Sequence, residues 1–184
     1  MTKEFNPDRL DAKAFVLAGA RLEGHDSLLK YERLAQEAKG LHPDLRVDWA
    51  AVGEWRAEAG GDGGQMWMHL RVTAAFPMVC QRCMGPVDVP LQVDRWFRFV
   101  ADEATAEALD DEVEEDLLAL SREFDLHELI EDELLMALPV VPRHDECPTP
   151  VSMASSDEDF EAATAERPNP FAALAGLRVG KSDK

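Results

Sequence analysis

The sequence has few of the features that mark secreted and membrane proteins. It contains three cysteines in 184 residues, too few for the disulfide framework of a small secreted domain. Its longest apolar run, LLMALPVV, is far shorter than the ~20 residues that a membrane-spanning helix needs. The N-terminal stretch MTKEFNPDRLD is polar and acidic, unlike the apolar core of a signal peptide. These absences predict a cytoplasmic protein that has no membrane partner.

Basic residues are scarce in one block of the chain. Residues 1–100 contain 14 acidic and 13 basic residues, whereas residues 101–166 contain 22 acidic residues and only Arg122 and Arg143. Residues 167–184 carry one acidic and four basic residues, and the whole chain has a net charge of -18. An acidic block of this kind repels phosphate backbones and attracts basic partners. The alternative interpretation is a solvated, partly disordered face.

The hydrophobic pattern predicts an α+β fold in which an antiparallel β-meander packs with a few helices. Apolar and polar residues alternate in LRVDWAAVGEWRAEA, in QMWMHLRVTAAF and between Val87 and Phe99, which predicts three long, half-buried strands. Short links between them favour antiparallel pairing. Helices are predicted in NPDRLDAKAFVLAG, DSLLKYERLAQEAK and DLHELIEDELLMALP, with a short strand at RLEGH. Residues 101–116 are predicted to form a loop with a helical piece.

We expect one α+β domain over residues 1–147, followed by two further segments. Residues 148–166 are acidic and poor in apolar side chains, so they are predicted to be a linker. Residues 167–184, which include NPFAALAGLRVGKSDK, are predicted to form a short docking helix with Phe171, Leu174 and Leu177 on one apolar face. That face would pack either on the protein's own domain or on a partner.

One acidic residue falls on the apolar face of the third predicted helix. On a helical wheel Glu133 lies inside the apolar stripe, whereas Glu131 and Asp132 point away from it. A buried carboxylate without a partner is costly, so Glu133 needs one. Arg95 occupies a core-facing position in the last long strand, which predicts an internal ion pair. The alternatives are that Glu133 reaches solvent at the edge of the stripe, or that it is catalytic.

The three cysteines form two groups with metal-ligand spacing. Cys80 and Cys83 lie in CQRCMGP, between two predicted strands, and a Gly-Pro turn follows them as in a zinc knuckle. His144 and Cys147 in PRHDEC come just after the acidic helix. Together the four would complete a Cys3His set for structural zinc, the only cofactor that the sequence suggests. The alternatives are reduced thiols in a tight turn and a redox site, although a redox Cys-x-x-Cys normally opens a helix.

The outward face of the predicted strands is rich in arginine and aromatic residues. Such side chains can neutralise phosphates and stack on bases, which makes this face a candidate RNA-binding surface. The simpler interpretation is a solvated sheet face whose tryptophans pack beneath other segments. The candidate RNA contacts are Arg46, Arg56, Arg71, Trp96 and Arg98.

Three stretches taken together resemble the YceD family: CQRCMGP, DLHELIEDELLMALPVVPRHDEC and NPFAALAGL. The resemblance spans roughly residues 6–178. It implies a non-enzymatic role in the synthesis, processing or stability of 23S rRNA, and so in biogenesis of the large ribosomal subunit. It also implies ribosomal or rRNA-processing proteins as partners and no small-molecule substrate. Besides the cysteines, the signature falls on Glu131, Asp132, Glu133, Pro139, Pro142, Asn169, Pro170 and Phe171.

Four kinds of function therefore remain open. A factor acting through protein contacts agrees with the acidic block, because ribosomal proteins are basic. A direct RNA-binding protein would use the arginine and tryptophan face, and its affinity would fall steeply with salt. An enzyme such as a zinc-dependent nuclease would need an open metal position and a nearby base, and the sequence supplies no second cluster of suitable residues. A zinc-stabilised structural module is a further alternative.

Overall fold

The computed structural model describes residues 4–57, 63–150 and 171 of the chain. The chain separates into two compact units, Met1–Cys147 and Pro148–Lys184. The helices and strands of the described residues belong to the first unit, which has the predicted α+β class and an open sheet. Residues 151–166 of the expected acidic linker and nearly all of the expected docking segment lie outside the described residues.

Five strands form a single mixed sheet in the order β1-β2-β3-β4-β5. Strands β1 to β4 pair antiparallel with one another in chain order, which confirms the predicted meander. The fifth, β5, runs parallel to β4 and was missed by the sequence pattern, because its four residues are too few to show a period. The strands are β1 (Arg21–Ser27), β2 (Arg46–Ala57), β3 (Gly64–Val79), β4 (Pro86–Val100) and β5 (Asp116–Ala119).

The helices of the described residues are short, and several begin at acidic caps. The side chain of Asp11 accepts a hydrogen bond from the backbone N–H of Ala14, and Asp125 accepts from those of His127 and Glu128. None of these helices has the length and apolarity needed to cross a membrane. They are α1 (Ala12–Leu17), α2 (Glu32–Glu37), α3 (Glu103–Leu109) and α4 (Leu126–Met136), with 3-10 turns at Pro7–Arg9 and Leu28–Lys30.

The core lies between the helices and one face of the sheet. Helix α1 sits directly on β2, where a Cβ added at Gly53 would lie 2.8 Å from the Cα of Val16, so only glycine permits this approach. The predicted inward alternation holds over most of the strands, but Trp55 is 47% exposed rather than buried. Its ring lies over Gly64 at the end of the sheet. The buried strand residues of the core are Val47, Trp49, Ala51, Met68, Leu70, Val72, Phe76, Leu91, Val93, Phe97 and Phe99.

Candidate metal centre

The turn between β3 and β4 holds the first cysteine pair. The backbone N–H of Cys80 donates to the carbonyl of Gly85, and that of Met84 donates to the carbonyl of Cys80, each at 2.8 Å. These bonds close a tight turn in which Met84 adopts a φ of 59°, a left-handed conformation that non-glycine residues seldom adopt. Cys80 is fully buried and Cys83 is partly buried. The turn therefore presents both thiols towards the same side.

The segment that follows α4 returns to this turn. The backbone N–H of Gln81 donates to the carbonyl of Pro142 at 2.8 Å, which fixes the two segments together. The backbone N–H of His144 approaches the Cys80 sulfur at 3.4 Å. Helix α4 packs on the sheet, so its C-terminal extension reaches the end of the β3–β4 hairpin. The second predicted pair is thereby brought to the first.

The four predicted ligands converge, and we call Cys80, Cys83, His144 and Cys147 the Cys3His cluster. The Cys83 sulfur lies 3.4 Å from Nδ1 of His144, and the sulfurs of Cys80 and Cys147 are 3.9 Å apart. All four ligand atoms lie within 4.8 Å of one another. A tetrahedral zinc site with ordinary bond lengths has ligand–ligand separations of about 3.3–3.8 Å. The arrangement can hold a metal ion, and the sulfur separation is far longer than the ~2.05 Å of a disulfide.

The electrostatics of the cluster favour a bound cation. Burial would raise the pKa of Cys80, but hydrogen bonds from backbone N–H groups, those of Cys83 and His144 among them, lower it to about 5. Burial raises the pKa of Cys147, and so do the neighbouring sulfurs of Cys83 and Cys80. A thiolate held against further thiols and an imidazole nitrogen is the donor set of structural zinc sites. A set of four protein ligands leaves no open position on a tetrahedral ion.

Helix α4 carries the signature acids, and Glu133 forms the predicted ion pair. Its side chain is 5% exposed, and its Oε2 lies 3.1 Å from Nη1 of Arg95, whose side chain is 40% exposed and also contacts Asp116. Burial raises the pKa of Glu133, against the opposing effect of the Arg95 guanidinium. The prediction of an internal ion pair is confirmed. The charge of the buried Glu133 carboxylate is therefore matched by a cation from β4.

Glu131 does not point away from the core, as the helical wheel predicted. It is 9% exposed, and its Oε1 accepts hydrogen bonds from the backbone N–H groups of Arg33 at 2.7 Å and Leu34 at 3.1 Å. The guanidinium of Arg33 binds both Glu131 and Asp132, which raises the pKa of Arg33. The carboxylate therefore caps helix α2 from a different helix. The helical-wheel prediction for Glu131 was wrong because it assumed that α4 packs only on the sheet.

Sequence reasoning missed His127, which is 8% exposed and joins α4 to the N-terminal part of the domain. Its Nδ1 lies 2.7 Å from Asp8, and its Nε2 lies 3.2 Å from Asp26 and 3.0 Å from the ammonium of Lys30. The only available signal was its spacing, three residues before Ile130 on the apolar stripe. Asp8, Asp125 and His127 also lie within metal-ligand distance of one another. Lys30 brings its positive charge into this group, which disfavours a cation there.

The outward face of the sheet contains a stack of rings and a guanidinium. The guanidinium carbon of Arg56 lies 4.4 Å from the centroid of Trp67 and 4.1 Å from that of Trp96. His69 stacks on Trp96, with centroids 4.3 Å apart and an interplanar angle of 5°. The Nε and Nη2 atoms of Arg98 are buried and have no hydrogen-bond partner among the described residues. The structure thus groups Arg56 and Trp96, while Arg98 stands opposite Trp67 in the strand register.

The other candidate RNA contacts lie apart from this stack. Arg46 is ten residues from Arg56 along β2, about 33 Å away in an extended strand, and its guanidinium donates to the carbonyl of Leu45. Arg71 is exposed and lies opposite Asp94 in the β3–β4 ladder. Within the predicted C-terminal signature only Phe171 is described, and its side chain is 69% exposed. The predicted RNA contacts therefore do not form one continuous site.

Comparison with known proteins places this arrangement in a family. The family model described as "Large ribosomal RNA subunit accumulation protein YceD" matches residues 68–178, which include the Cys3His cluster and α4. The protein of that name from Haemophilus influenzae (strain ATCC 51907 / DSM 11121 / KW20 / Rd) is 35% identical over 114 residues, or 60% of this chain and 64% of that protein. The alignment thus covers slightly less than two thirds of the relative. No solved structure matches the chain. The chain belongs to the YceD family.

Proposed function

We propose that this protein is a non-enzymatic factor for the accumulation of 23S rRNA during large-subunit biogenesis. It would act in the cytoplasm through contacts with ribosomal or rRNA-processing proteins. The observation that carries the proposal is the family match over residues 68–178, which takes in the Cys3His cluster and the acidic helix together. The similar protein from Haemophilus influenzae is named for this accumulation. Because the alignment covers 64% of that protein, the role of the whole chain is part of the proposal.

The geometry of the signature residues supports a role without catalysis. The acidic side chains of α4 that the family signature marks are engaged by Arg33 and Arg95. A catalytic zinc keeps an open position for water or substrate, whereas four protein ligands close the tetrahedron. These observations favour a scaffold for binding over an active site.

We also propose that the Cys3His cluster holds a structural zinc ion. The distances and the donor set suit tetrahedral zinc, and the ion would supply a cross-link rather than chemistry. It would tie the β3–β4 turn to the end of the domain, where Gln81 already binds Pro142. The cross-link would fix the position of the β3–β4 turn relative to residues 142–147.

The charge of the chain supports basic proteins as partners. Residues 101–119 contain nine acidic residues and no basic residue, and they form α3, β5 and the turns beside them. Electrostatic attraction from such a surface raises the association rate of a basic protein and repels nucleic acid. Ribosomal proteins are the basic proteins that a factor of this family would meet.

The experiment that tests the proposal combines a deletion strain with affinity capture. Cells that lack the protein should accumulate less 23S rRNA than 16S rRNA, and the full-length chain should restore the ratio. Tagged protein should retain ribosomal or rRNA-processing proteins after ribonuclease treatment. An unchanged rRNA ratio would contradict the proposed role, and loss of every partner after ribonuclease would contradict action through protein contacts.

Direct RNA binding is a second candidate, favoured by Arg98. The Nε and Nη2 donors of Arg98 are buried without an acceptor among the described residues, which is unfavourable. A phosphate would supply a bidentate acceptor once the side chains that cover these two atoms move aside. Base stacking has less support, because Arg56 and His69 both pack against the Trp96 ring and Trp67 is only 6% exposed. The surface would therefore hold a phosphate rather than read bases.

A titration of RNA binding against salt tests this second candidate. Fragments of 23S rRNA should bind the full chain, and Arg98→Gln should weaken binding and reduce the slope of log affinity against log salt by about one. Arg21→Gln is the matched control, because Arg21 is an exposed arginine on β1 that is paired with Glu23. Equal RNA affinity in the wild type and Arg98→Gln would reject Arg98 as a phosphate contact.

A further inference from the structure

Two valines between the signature prolines are largely exposed. Residues 139–142, which we call the PVVP segment, follow α4, and Val140 is 98% exposed while Val141 is 60% exposed. The segment is held at its end, since the carbonyl of Pro142 accepts a hydrogen bond from Gln81. Each proline fixes its own φ and keeps the preceding residue extended. Pro142 therefore restrains the backbone of Val141, and the bond to Gln81 anchors that end of the segment. This restraint lowers the entropy lost when a partner covers Val141.

A third apolar side chain stands out on the turn that binds this segment. Met84 is 69% exposed and adopts a φ of 59°, where glycine would be the ordinary choice. Sparsely populated backbone conformations cluster at functional sites and ligand clamps, so Met84 is a candidate contact for a partner. Its turn is joined to the PVVP segment by the Gln81–Pro142 bond and by the Cys3His cluster. The two apolar features thus belong to one anchored end of the domain.

The groove beside the PVVP segment is acidic. It lies between the start of β4 and residues 139–146, and Val141 is part of its lining. The lining includes the acids Asp88, Asp145 and Glu146, and its bases are Arg143 and His144 of the Cys3His cluster. β4 pairs with β5 only at its C-terminal end, so the start of β4 is an edge that no described strand covers. Prolines at positions 86 and 90 remove backbone donors from this edge, which disfavours addition of a strand. The groove suits side chains of a partner better than its backbone.

We propose that Val140, Val141 and Met84 form a docking surface for a basic protein segment that carries apolar side chains. The apolar residues of the partner would cover the valines and the methionine, while its lysines or arginines would lie over Asp88 and Glu146. Nucleic acid does not fit this surface, because the three acids of the groove repel phosphates. This inference rests on the proposed function, from which it takes ribosomal proteins as the source of the basic segment.

The test uses proteins extracted from purified large ribosomal subunits and freed of RNA. Immobilised full-length protein should retain a basic ribosomal protein, which is then identified, labelled and titrated by fluorescence anisotropy. Val140→Ser with Val141→Ser should weaken binding, raising the dissociation constant at least about tenfold, because two apolar side chains lose their contact. The matched control is Leu17→Ser with Leu29→Ser, two apolar residues exposed elsewhere, and it should change the constant less than about twofold.

Three outcomes would overturn the inference. The first is retention of no basic ribosomal protein by the wild type, and the second is equal affinity in the valine variant and the control. The third is a dimer of the wild type that dissociates in the valine variant, which would assign the surface to self-association. Circular dichroism and zinc content confirm that the variants are folded. The deletion strain tests the proposed function separately. An unchanged ratio of 23S to 16S rRNA in that strain rejects the proposed function. A lowered ratio, together with normal binding by the valine variant, rejects only this inference.

Discussion

The acidic helix and the Cys3His cluster satisfy their polar groups in different ways. In α4 each buried acid meets a partner from the chain itself, with Glu131 bound to the start of α2 and Glu133 bound to Arg95. In the cluster, ligand atoms converge on one another at distances that suit a metal ion. The first region is scaffold that is complete by itself, and the second is a site that a ligand completes. Both belong to the same family signature, so the signature marks two separate physical tasks.

The largest effect on stability is expected from loss of the metal ion that we propose for the Cys3His cluster. Protein purified without chelator should contain about one zinc per chain, and Cys83→Ser should contain almost none. The variant, or the wild type treated with a strong chelator, should melt more than about 10 °C lower, because metal binding contributes directly to folding free energy. Elemental analysis and calorimetry measure the two quantities.

The control for the metal prediction is Arg82→Ser. Arg82 lies in the same turn and contributes no ligand atom to the cluster. This variant should keep its zinc and its melting temperature within about 2 °C. Wild-type protein without zinc, or Cys83→Ser with a full equivalent, would contradict the metal assignment.

The ion pair of α4 should respond unequally to loss of its two members. Arg95→Met leaves the buried Glu133 carboxylate without its cation and should lower the free energy of unfolding by about 2–3 kcal/mol, discounted for the partial exposure of Arg95. Glu133→Gln leaves Arg95 with Asp116 and should cost about 1 kcal/mol. Urea unfolding at pH 7 measures the free energy of unfolding of the two variants. Equal costs would mean that the burial of Glu133 is not the dominant factor.

A smaller effect separates the two neighbouring acids that bind Arg33. Glu131→Ala removes the acceptor for two backbone N–H groups at the start of α2 and should cost about 1–2 kcal/mol. Asp132→Ala breaks a half-exposed ion pair only and should leave the free energy of unfolding nearly unchanged. Hydrogen exchange of the α2 amides should increase in the first variant alone. Similar exchange in both variants would argue against capping.

Asp26, which contacts His127 of α4, should make the stability of the domain depend on acid pH. Burial would raise its pKa, but the hydrogen bond from Trp49 and the positive charge of Lys30 hold the pKa below its ordinary value of 3.8. Its stabilisation is therefore present above pH 3.8 and is lost as the pH falls through the lower folded-state value. Asp26→Asn should be about 1 kcal/mol less stable at pH 6, and the difference should vanish towards about pH 2. A difference that does not depend on pH would contradict this account.

The smallest effect is expected on the outward face of the sheet, where a charge lacks a partner among the described residues. Arg98→Met removes two buried donors that have no acceptor, so it should change the free energy of unfolding by less than about 1 kcal/mol, in the stabilising direction. Arg56→Met is the comparison, because it removes the guanidinium between two tryptophans and should destabilise. A large loss in Arg98→Met would show that its donors are satisfied.

Local periodicity explains which parts of the fold could be predicted. The alternation in β3 and β4 and the apolar stripe of α4 reflect the faces that pack in the core, so the meander, the helix and the Glu133–Arg95 pair were predicted correctly. The second buried contact of α4, through Glu131, was not predicted. β5 was missed because four residues carry no reliable period. The predicted docking segment and the linker before it remain predictions, since nearly all of their residues lie outside the described part of the chain.

In the candidate site, too, the sequence predicted some features and missed others. Cysteine and histidine spacing identified all four members of the Cys3His cluster, and the structure brings them together. The capping role of Glu131 could not be predicted, because the residues that it caps are 97 and 98 positions away in the chain. The outward arginines were predicted as one surface, but Arg46 lies at the opposite end of β2 from Arg56.

The sequence by itself determined the class of fold, the acidic character and the identity of the candidate metal ligands. Periodicity, composition and residue spacing are properties of short segments, so they can be read without knowing which distant residues lie nearby. Only the tertiary structure decided which charges are partnered. Glu131, Glu133 and His127 all lie on one helix, and each binds a different element that folding brings to it. Whether a buried polar group is satisfied depends on neighbours distant in sequence, because hydrogen bonds and ion pairs act over only a few ångströms.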